Sequence, residues 1–159
     1  MFNPNAVAAS AYMPSLETAA RALKVVAITA PVRSDVEIET AIIALGREPP
    51  NGLVVMTDVF RSAHRAPIIS AAARNKVPAV YWNGVFARDG GLLSYAANTR
   101  EIWRRTASYV DRILRGAKPG DLPVQQITKI ELIINLKTAK ALGLTIPETL
   151  LATADEVIQ

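Results

Sequence analysis

The stretch Gly52-Leu53-Val54-Val55-Met56-Thr57-Asp58 constrains the fold more than any other part of the sequence. Leu53 to Thr57 are all apolar or β-branched, with Asn51-Gly52 opening the run and Asp58 closing it. A short apolar run between turn residues reads as a strand buried on both faces. Strands of that kind belong to parallel sheets covered by helices. Asp58 then stands at the C-terminal end of the strand, just ahead of a helical stretch. Ligands of open α/β sheets bind at that edge. A carboxylate there serves as a helix N-cap, as a ligand contact, or as both.

The segments around this strand alternate. Helical patterning runs from about Ala6 to Leu23, interrupted by Pro14. Lys24 to Thr29 reads as a strand, ended by Pro31. Ser34 and Glu37 have capping-box spacing, and Val36, Ile38, Ile42, Ile43 and Leu45 follow as an amphipathic helix to about Gly46. Phe60 to Asn75 is the next helix, with Ile68, Ile69 and Ala71-Ala72-Ala73 on its buried side and a break or late start at Pro67. Val77 to Trp82 is a third strand. Such alternation implies right-handed crossovers and a parallel sheet. The expected class is α/β: a three-layer Rossmann-like parallel sheet with helices on both faces. Only Met1-Phe2 precedes the first turn, so these residues read as the end of a truncated first strand.

Beyond Trp82 the pattern changes. Asn83 to Gly91 reads as a loop and Gly91 to Ala96 as a short strand. Asn98 or Thr99 caps a long helix, Arg100 to Arg115, with Gly116 as its stop. Its stripe of Trp103, Ala107, Val110, Ile113 and Leu114 is expected to face a core. Arg100, Arg104, Arg105, Arg112 and Arg115 form a solvated polar face. Lys118 to Pro123 is a turn-rich link. Val124 to Thr128 and Lys129 to Asn135 are strand candidates, Leu136 to Leu142 a short helix, and Glu148 to Gln159 a weakly helical tail.

Composition bounds the chemistry. The 159 residues suit a single domain, and the net charge of +4 comes without a Lys/Arg cluster, which argues against nucleic acid. There is no Cys, so no disulfide, thiolate metal site or Cys nucleophile can form. His64 is the only His, which leaves no strong transition-metal site. No nucleophile elbow, phosphate loop or dinucleotide fingerprint is present. No catalytic residue, metal site or cofactor is therefore assigned. No apolar run reaches membrane-spanning length, and the N-terminus is not a signal peptide, so the chain as written would stay in the cytoplasm.

What remains is a set of polar and aromatic groups that parallel strands would bring to one sheet edge. Asn3 and Asn5 follow the short first strand, Asp58 the central strand, and Tyr81 and Trp82 end the next. Aromatics, a carboxylate and amides suit a pocket for a small polar or aromatic molecule. Tyr81 and Trp82 can equally be core residues. An enzyme using Asp58 and His64 as acid and base is the alternative of a different kind.

The C-terminal stretch adds a resemblance. Tyr109-Val110-Asp111-Arg112-Ile113-Leu114-Arg115-Gly116-Ala117-Lys118-Pro119-Gly120-Asp121-Leu122-Pro123-Val124-Gln125-Gln126, then Thr128-Lys129, then Glu131-Leu132-Ile133-Ile134-Asn135-Leu136-Lys137-Thr138-Ala139-Lys140-Ala141-Leu142-Gly143-Leu144-Thr145-Ile146-Pro147, resembles the end of the ABC-transporter substrate-binding proteins of tryptophan/tyrosine type. Phe2-Asn3-Pro4, Asp58, Ser62-Ala63-His64-Arg65 and Gly90-Gly91-Leu92-Leu93-Ser94-Tyr95 match more loosely.

The resemblance implies a type I periplasmic-binding fold, with two α/β lobes and a ligand in the cleft between them. Family members are about twice this length, so the chain resembles the C-terminal half. Residues 1–94 and 117–159 resemble the second lobe, and 95–116 the helical segment that packs on the first. Val124 to Asn135 would return to the second lobe, and Asn3, Asp58 and Trp82 would face the cleft. The implied partners are a small molecule such as an amino acid, the membrane subunits of an ABC importer and the missing N-terminal lobe. The implied location is periplasmic or extracytoplasmic. With that lobe, a signal peptide and most of one strand missing, a truncated non-functional product is the other reading. Self-association through the exposed helix stripe is then a further expectation.

Overall fold

Strand β1 (Leu53–Val55) pairs in parallel with β2 (Ala79–Tyr81), and β2 pairs in parallel with β3 (Leu93–Ala97). This computed structural model describes residues 1–2, 7–47, 50–57 and 59–159. The sheet has five strands in the order β1-β2-β3-β4-β5. Strand β4 (Ile130–Asn135) runs antiparallel to β3, with Leu93 opposite Ile134 and Tyr95 opposite Leu132. Strand β5 (Glu156–Ile158) is parallel to β4. The sheet is thus mostly parallel, with one reversal where the chain returns after a long helix and a 3-10 turn at Pro119–Asp121.

The chain start lies against β1 as part of a further ladder. The Met1 nitrogen donates to Val54 O at 2.8 Å, and Met56 N donates to Met1 O at 3.1 Å. On the other side, Phe2 N donates to Ala30 O and Val32 N to Phe2 O, each at 3.0 Å. Residues 25–30 form no named strand, contrary to the reading of Lys24 to Thr29; only Phe2 and Pro31 bridge. The physical reason is the ladder: none of the described residues pairs with 25–29, and Val25, Val26 and Ile28 are 58%, 87% and 70% exposed.

One face of the sheet carries the core. Leu53, Val55, Ala79 and Tyr81 point into a cluster with Val32, with Ile38 and Ile42 of α2 (Asp35–Gly46), with Ile68, Ile69, Ala71 and Ala72 of α4 (Arg65–Arg74), and with Phe86 of α5 (Gly84–Arg88). The opposite face is open at Val54, Val80 and Tyr95, which are 48%, 37% and 62% exposed. The central strand is therefore buried on one face at this position, not on both, because no described helix covers Val54 and Val80. Towards β4 the open face becomes a depression of about 500 Å³ lined by Tyr95, Ile130, Leu132, Leu150 and Asp155 among others.

Tyr81 is the largest side chain of this core, stacked on Phe86 with ring centroids 4.9 Å apart. Burial pushes its phenol above the usual range. Gly91 makes room for it: a Cβ there would lie 2.5 Å from Tyr81 Cε2 and 2.8 Å from Phe86 O. Asn135, at the end of β4, donates from Nδ2 to Ala87 O at 3.0 Å and caps α7 (Leu136–Ala141) by accepting from Thr138 N at 3.1 Å. Ser94 is wholly buried, and its Oγ has no hydrogen-bond partner among the described residues.

The helices follow their local signals. Ser34 caps α2 by accepting from Glu37 N at 3.2 Å, while Glu37 reaches back to Arg33 N at 2.6 Å. Val36, read as part of the apolar face, is 75% exposed. Helix α1 (Val7–Ala22) carries Pro14 inside it. The helix read as Phe60 to Asn75 is split into α3 (Val59–Ala63) and α4, with the break at His64. Pro67 lies in the first turn of α4, where its missing N–H costs nothing. The reading of 83–91 as a loop is replaced by α5, capped by Asn83. Val124 to Thr128 is not a strand, and Val124 is 98% exposed. The tail forms α8 (Glu148–Leu151) and then β5, not a weak helix throughout.

Helix α6 (Thr99–Leu114) contradicts one expectation. It has no buried residue, and Trp103, Val110 and Leu114 are 68%, 50% and 81% exposed. The stripe does not face the core of this chain. Replacing Ile38 by Ala is expected to lower stability by about 3 kcal/mol. Ser94→Ala should be neutral or stabilising by about 1 kcal/mol, because it removes a buried, unpaired hydroxyl. Urea titrations of both variants beside the parent chain check this pair of opposite signs.

Candidate functional site

Three parallel strands put their C-terminal ends on one edge of the sheet. Met56-Thr57 follow β1, Trp82-Asn83 follow β2 and Asn98 follows β3. The segment ahead of α2 ends at the same edge with Ser34 and Asp35, because it pairs in parallel with Phe2. The antiparallel β4 begins there, with Ile130 opposite Ala97 and Glu131 opposite Ala96.

Trp82 is the aromatic of this edge. Its neighbour Tyr81 is drawn into the core, and the ladder ends, so Trp82 is left partly buried at the rim. Its ring is tilted 58° to Phe86 with centroids 6.1 Å apart. The Trp82 indole N–H is buried without a hydrogen-bond partner among the described residues. Such a donor gains by any acceptor brought to it.

A second group forms where α2 meets the α3–α4 break. His64 Nδ1 donates to the Asp35 carboxylate, and the His64 ring stacks on Phe60 with centroids 4.1 Å apart. The pair fixes the imidazole, leaving Nε2 for other partners. Arg65, the next residue, donates from Nε to Asp89 Oδ2 at 2.6 Å and ties α4 to the end of α5. Asn83 accepts from Val85 N at 3.0 Å.

The third group surrounds the start of α6. Asn98 accepts from Glu101 N at 2.9 Å and donates from Nδ2 to Glu131 Oε1 at 2.8 Å. Glu101 accepts from Arg105 at 2.9 Å and from Arg104 at 3.3 Å. The hydrogen bond from Arg105 is the main reason that the Glu101 carboxyl lies below the usual carboxylate range.

The residues singled out from sequence divide three ways. Asn3, Asn5 and Asp58 lie outside the described residues. Tyr81 is a core residue, 2% exposed. Trp82 stands at the edge. Asp35, Phe60 and Asn83, which the sequence did not single out, lie at the same edge. His64 sits in the same group, held by Asp35. The edge offers an aromatic ring, amides, an imidazole and carboxylates. These are groups for holding a small polar molecule by non-covalent contacts.

Solved structures share this architecture. A conserved domain protein from Vibrio cholerae is 27% identical with a TM-score of 0.84; the match covers 98% of this chain and 52% of that one. An ABC domain from Streptococcus pneumoniae in complex with L-Trp gives 24% identity and a TM-score of 0.84, over 99% of this chain and 54% of that one. The ligand-free, open form of a substrate-binding protein with adhesive properties from Clostridium difficile gives 21% and 0.71, over 100% of this chain and 53% of that one. Among proteins of curated function none matches. The chain thus has the α/β fold of periplasmic-binding proteins and spans about half the length of the solved structures it matches. The sequence model of the ABC transporter substrate-binding proteins matches residues 1–158, and the chain belongs to that family.

Arg105→Gln is expected to move the Glu101 midpoint up, towards the ordinary carboxylate value, because the hydrogen bond that favours the ionised form is removed. Carbon-13 NMR of the Glu101 carboxyl through an acid titration reads this directly. An unchanged midpoint would show that Arg105 does not hold it.

Proposed function

We propose that this chain supplies one half of the ligand site of an ABC importer's solute-binding protein, and that the C-terminal sheet edge is that half-site. Trp82 and Asn83, with Asp35, Phe60 and His64, line it in this reading. Asn3, Asn5 and Asp58, singled out from the sequence, remain part of the proposal as ligand contacts. The observation that carries the reading is the buried indole N–H of Trp82, without a partner among the described residues, just past the end of a parallel strand. Family membership supports the binding role.

The ligand is a small molecule such as an amino acid. The tryptophan complex of the Streptococcus pneumoniae protein, which has the same fold, makes aromatic amino acids the first to try. In the same reading, residues 1–94 and 117–159 form the lobe that carries the edge. Helix α6 packs on a second lobe, which explains an apolar stripe with no buried residue. The role places the protein outside the cytoplasmic membrane, where it docks on the importer's membrane subunits. Binding closes two lobes about a hinge. No group at the edge is called on for catalysis.

Thermal unfolding in the presence of millimolar amino acids tests this. An aromatic amino acid at about a hundred times its Kd should add about 2.7 kcal/mol to the stability of the chain. Trp82→Ala should abolish the rise, measured against the variant's own melting temperature without ligand, which the lost packing on Phe86 lowers. No shift with any amino acid, or an equal shift in Trp82→Ala, would contradict the proposal.

A further inference from the structure

The C-terminal sheet edge carries a cation that its surroundings do not neutralise. Arg33 follows Val32, the last residue of the segment that pairs with Phe2, and precedes Ser34, the cap of α2. Its side chain is exposed, and its guanidinium forms no hydrogen bond or ion pair with the described residues. The carboxylates around it are taken. Glu37 Oε2 accepts from the Arg33 backbone N–H at 2.6 Å, Asp35 holds His64, and Glu39 holds Arg74 at 2.7 Å. Other cations of this edge are engaged. Arg65 is bound to Asp89, and at the far end Lys129 adds to the attraction that Arg105 and Arg104 exert on the Glu101 carboxylate. The base of the Arg33 side chain is fixed, because Val32 is wholly buried and Glu37 holds the Arg33 main chain. Only its charged end is left over.

The ladder bonds place Arg33 relative to Trp82. Phe2 is level with Pro31, since Phe2 N donates to Ala30 O and Val32 N to Phe2 O. Met1 is level with Val55, since it bonds to Val54 O and Met56 N, and Val55 is level with Tyr81. Pro31, Phe2, Met56 and Trp82 therefore stand in one row across the edge. Arg33 lies two residues beyond that row, about 7 Å further out, and three strand spacings, about 14 Å, to the side of Trp82. An arginine side chain and a molecule the size of an aromatic amino acid together span that gap. The ring then meets Trp82 and the far end of the molecule meets Arg33.

We propose that Arg33 is a specificity-determining residue of this half-site and binds the ligand's carboxylate through its guanidinium. The inference rests on the reading of the edge as a ligand site. The planar fork of an arginine matches a carboxylate with two parallel hydrogen bonds. The class of ligand selected has an aromatic or apolar end and a carboxylate at the other. A neutral analogue of the same shape forfeits the charge-assisted pair.

The test titrates the 159-residue chain and its Arg33→Gln variant with L-tryptophan and with L-tryptophanamide, in which a neutral amide replaces the carboxylate. Nitrogen-15 NMR reads each Kd and the Arg33 Nε–H signal. The parent should prefer tryptophan about tenfold or more, and Arg33→Gln about threefold at most. The Arg33 Nε–H signal should move with tryptophan and stay in place with the amide. An equal preference in both chains, or none in the parent, overturns the proposal, while shifts at Trp82 leave the edge standing as a ligand site. An Arg33 signal that tryptophan does not move also overturns it, since the contact is direct. If neither compound binds saturably, the reading of the edge and this inference fall together.

Discussion

The Tyr81 ring, closed between Phe86 and the bare Cα of Gly91, holds the sheet to its helical layer. It joins β2, α5 and the approach to β3 in one contact. Any side chain at Gly91 would collide with the ring or with Phe86 O. Because strand residues alternate, fixing Tyr81 inward sends Val80 to the open face and leaves Trp82 at the rim. Trp82 is thus placed by the residue beside it. Asn135 extends the arrangement by tying β4 to α5 through Ala87 O, so the antiparallel return strand is set by the same helix.

The layer is one-sided where it matters. Helices α2, α4 and α5 bury one face, and their first turns and caps decorate the C-terminal edge with Asp35, His64 and Asn83. The other face, residues 25–28 and the stripe of α6 keep apolar groups in water. Contiguous exposed apolar surface is what interaction sites are made of. The chain matches about half of each of these solved structures in length.

Much of the fold was legible because its signals are local. The apolar run at Leu53, the capping pair Ser34 and Glu37, and the Asn98 cap needed no tertiary information. What failed needed neighbours. Lys24 to Thr29 and Val124 to Thr128 have strand-like composition, but a ladder needs a partner and none of the described residues supplies one along most of their length. The sequence Glu156-Val157-Ile158 does have a partner, β4, and became a strand although it is short and terminal. Asn83-Gly84 reads as a turn and serves as a helix start, because the Asn83 side chain accepts from Val85 N and caps α5; Gly84 is fixed by tertiary packing, since a Cβ there would lie 2.6 Å from Ile133 Cδ1. At the proposed site, the place of Trp82 at the strand edge was readable from strand order. The grouping of Asp35, Phe60 and His64 was not readable, since 29 residues separate the first from the last and the packing of α2 on α4 brings them together.

The central claim is that ligand recognition belongs to the C-terminal edge of the parallel strands. Nitrogen-15 NMR of the chain during titration with tryptophan tests it most directly. The account predicts shift changes at Trp82, Asn83, Met56, Thr57 and the His64 ring, with the indole N–H of Trp82 moving most. Changes confined to the opposite edge, to the depression beside Tyr95, or absent everywhere would contradict it.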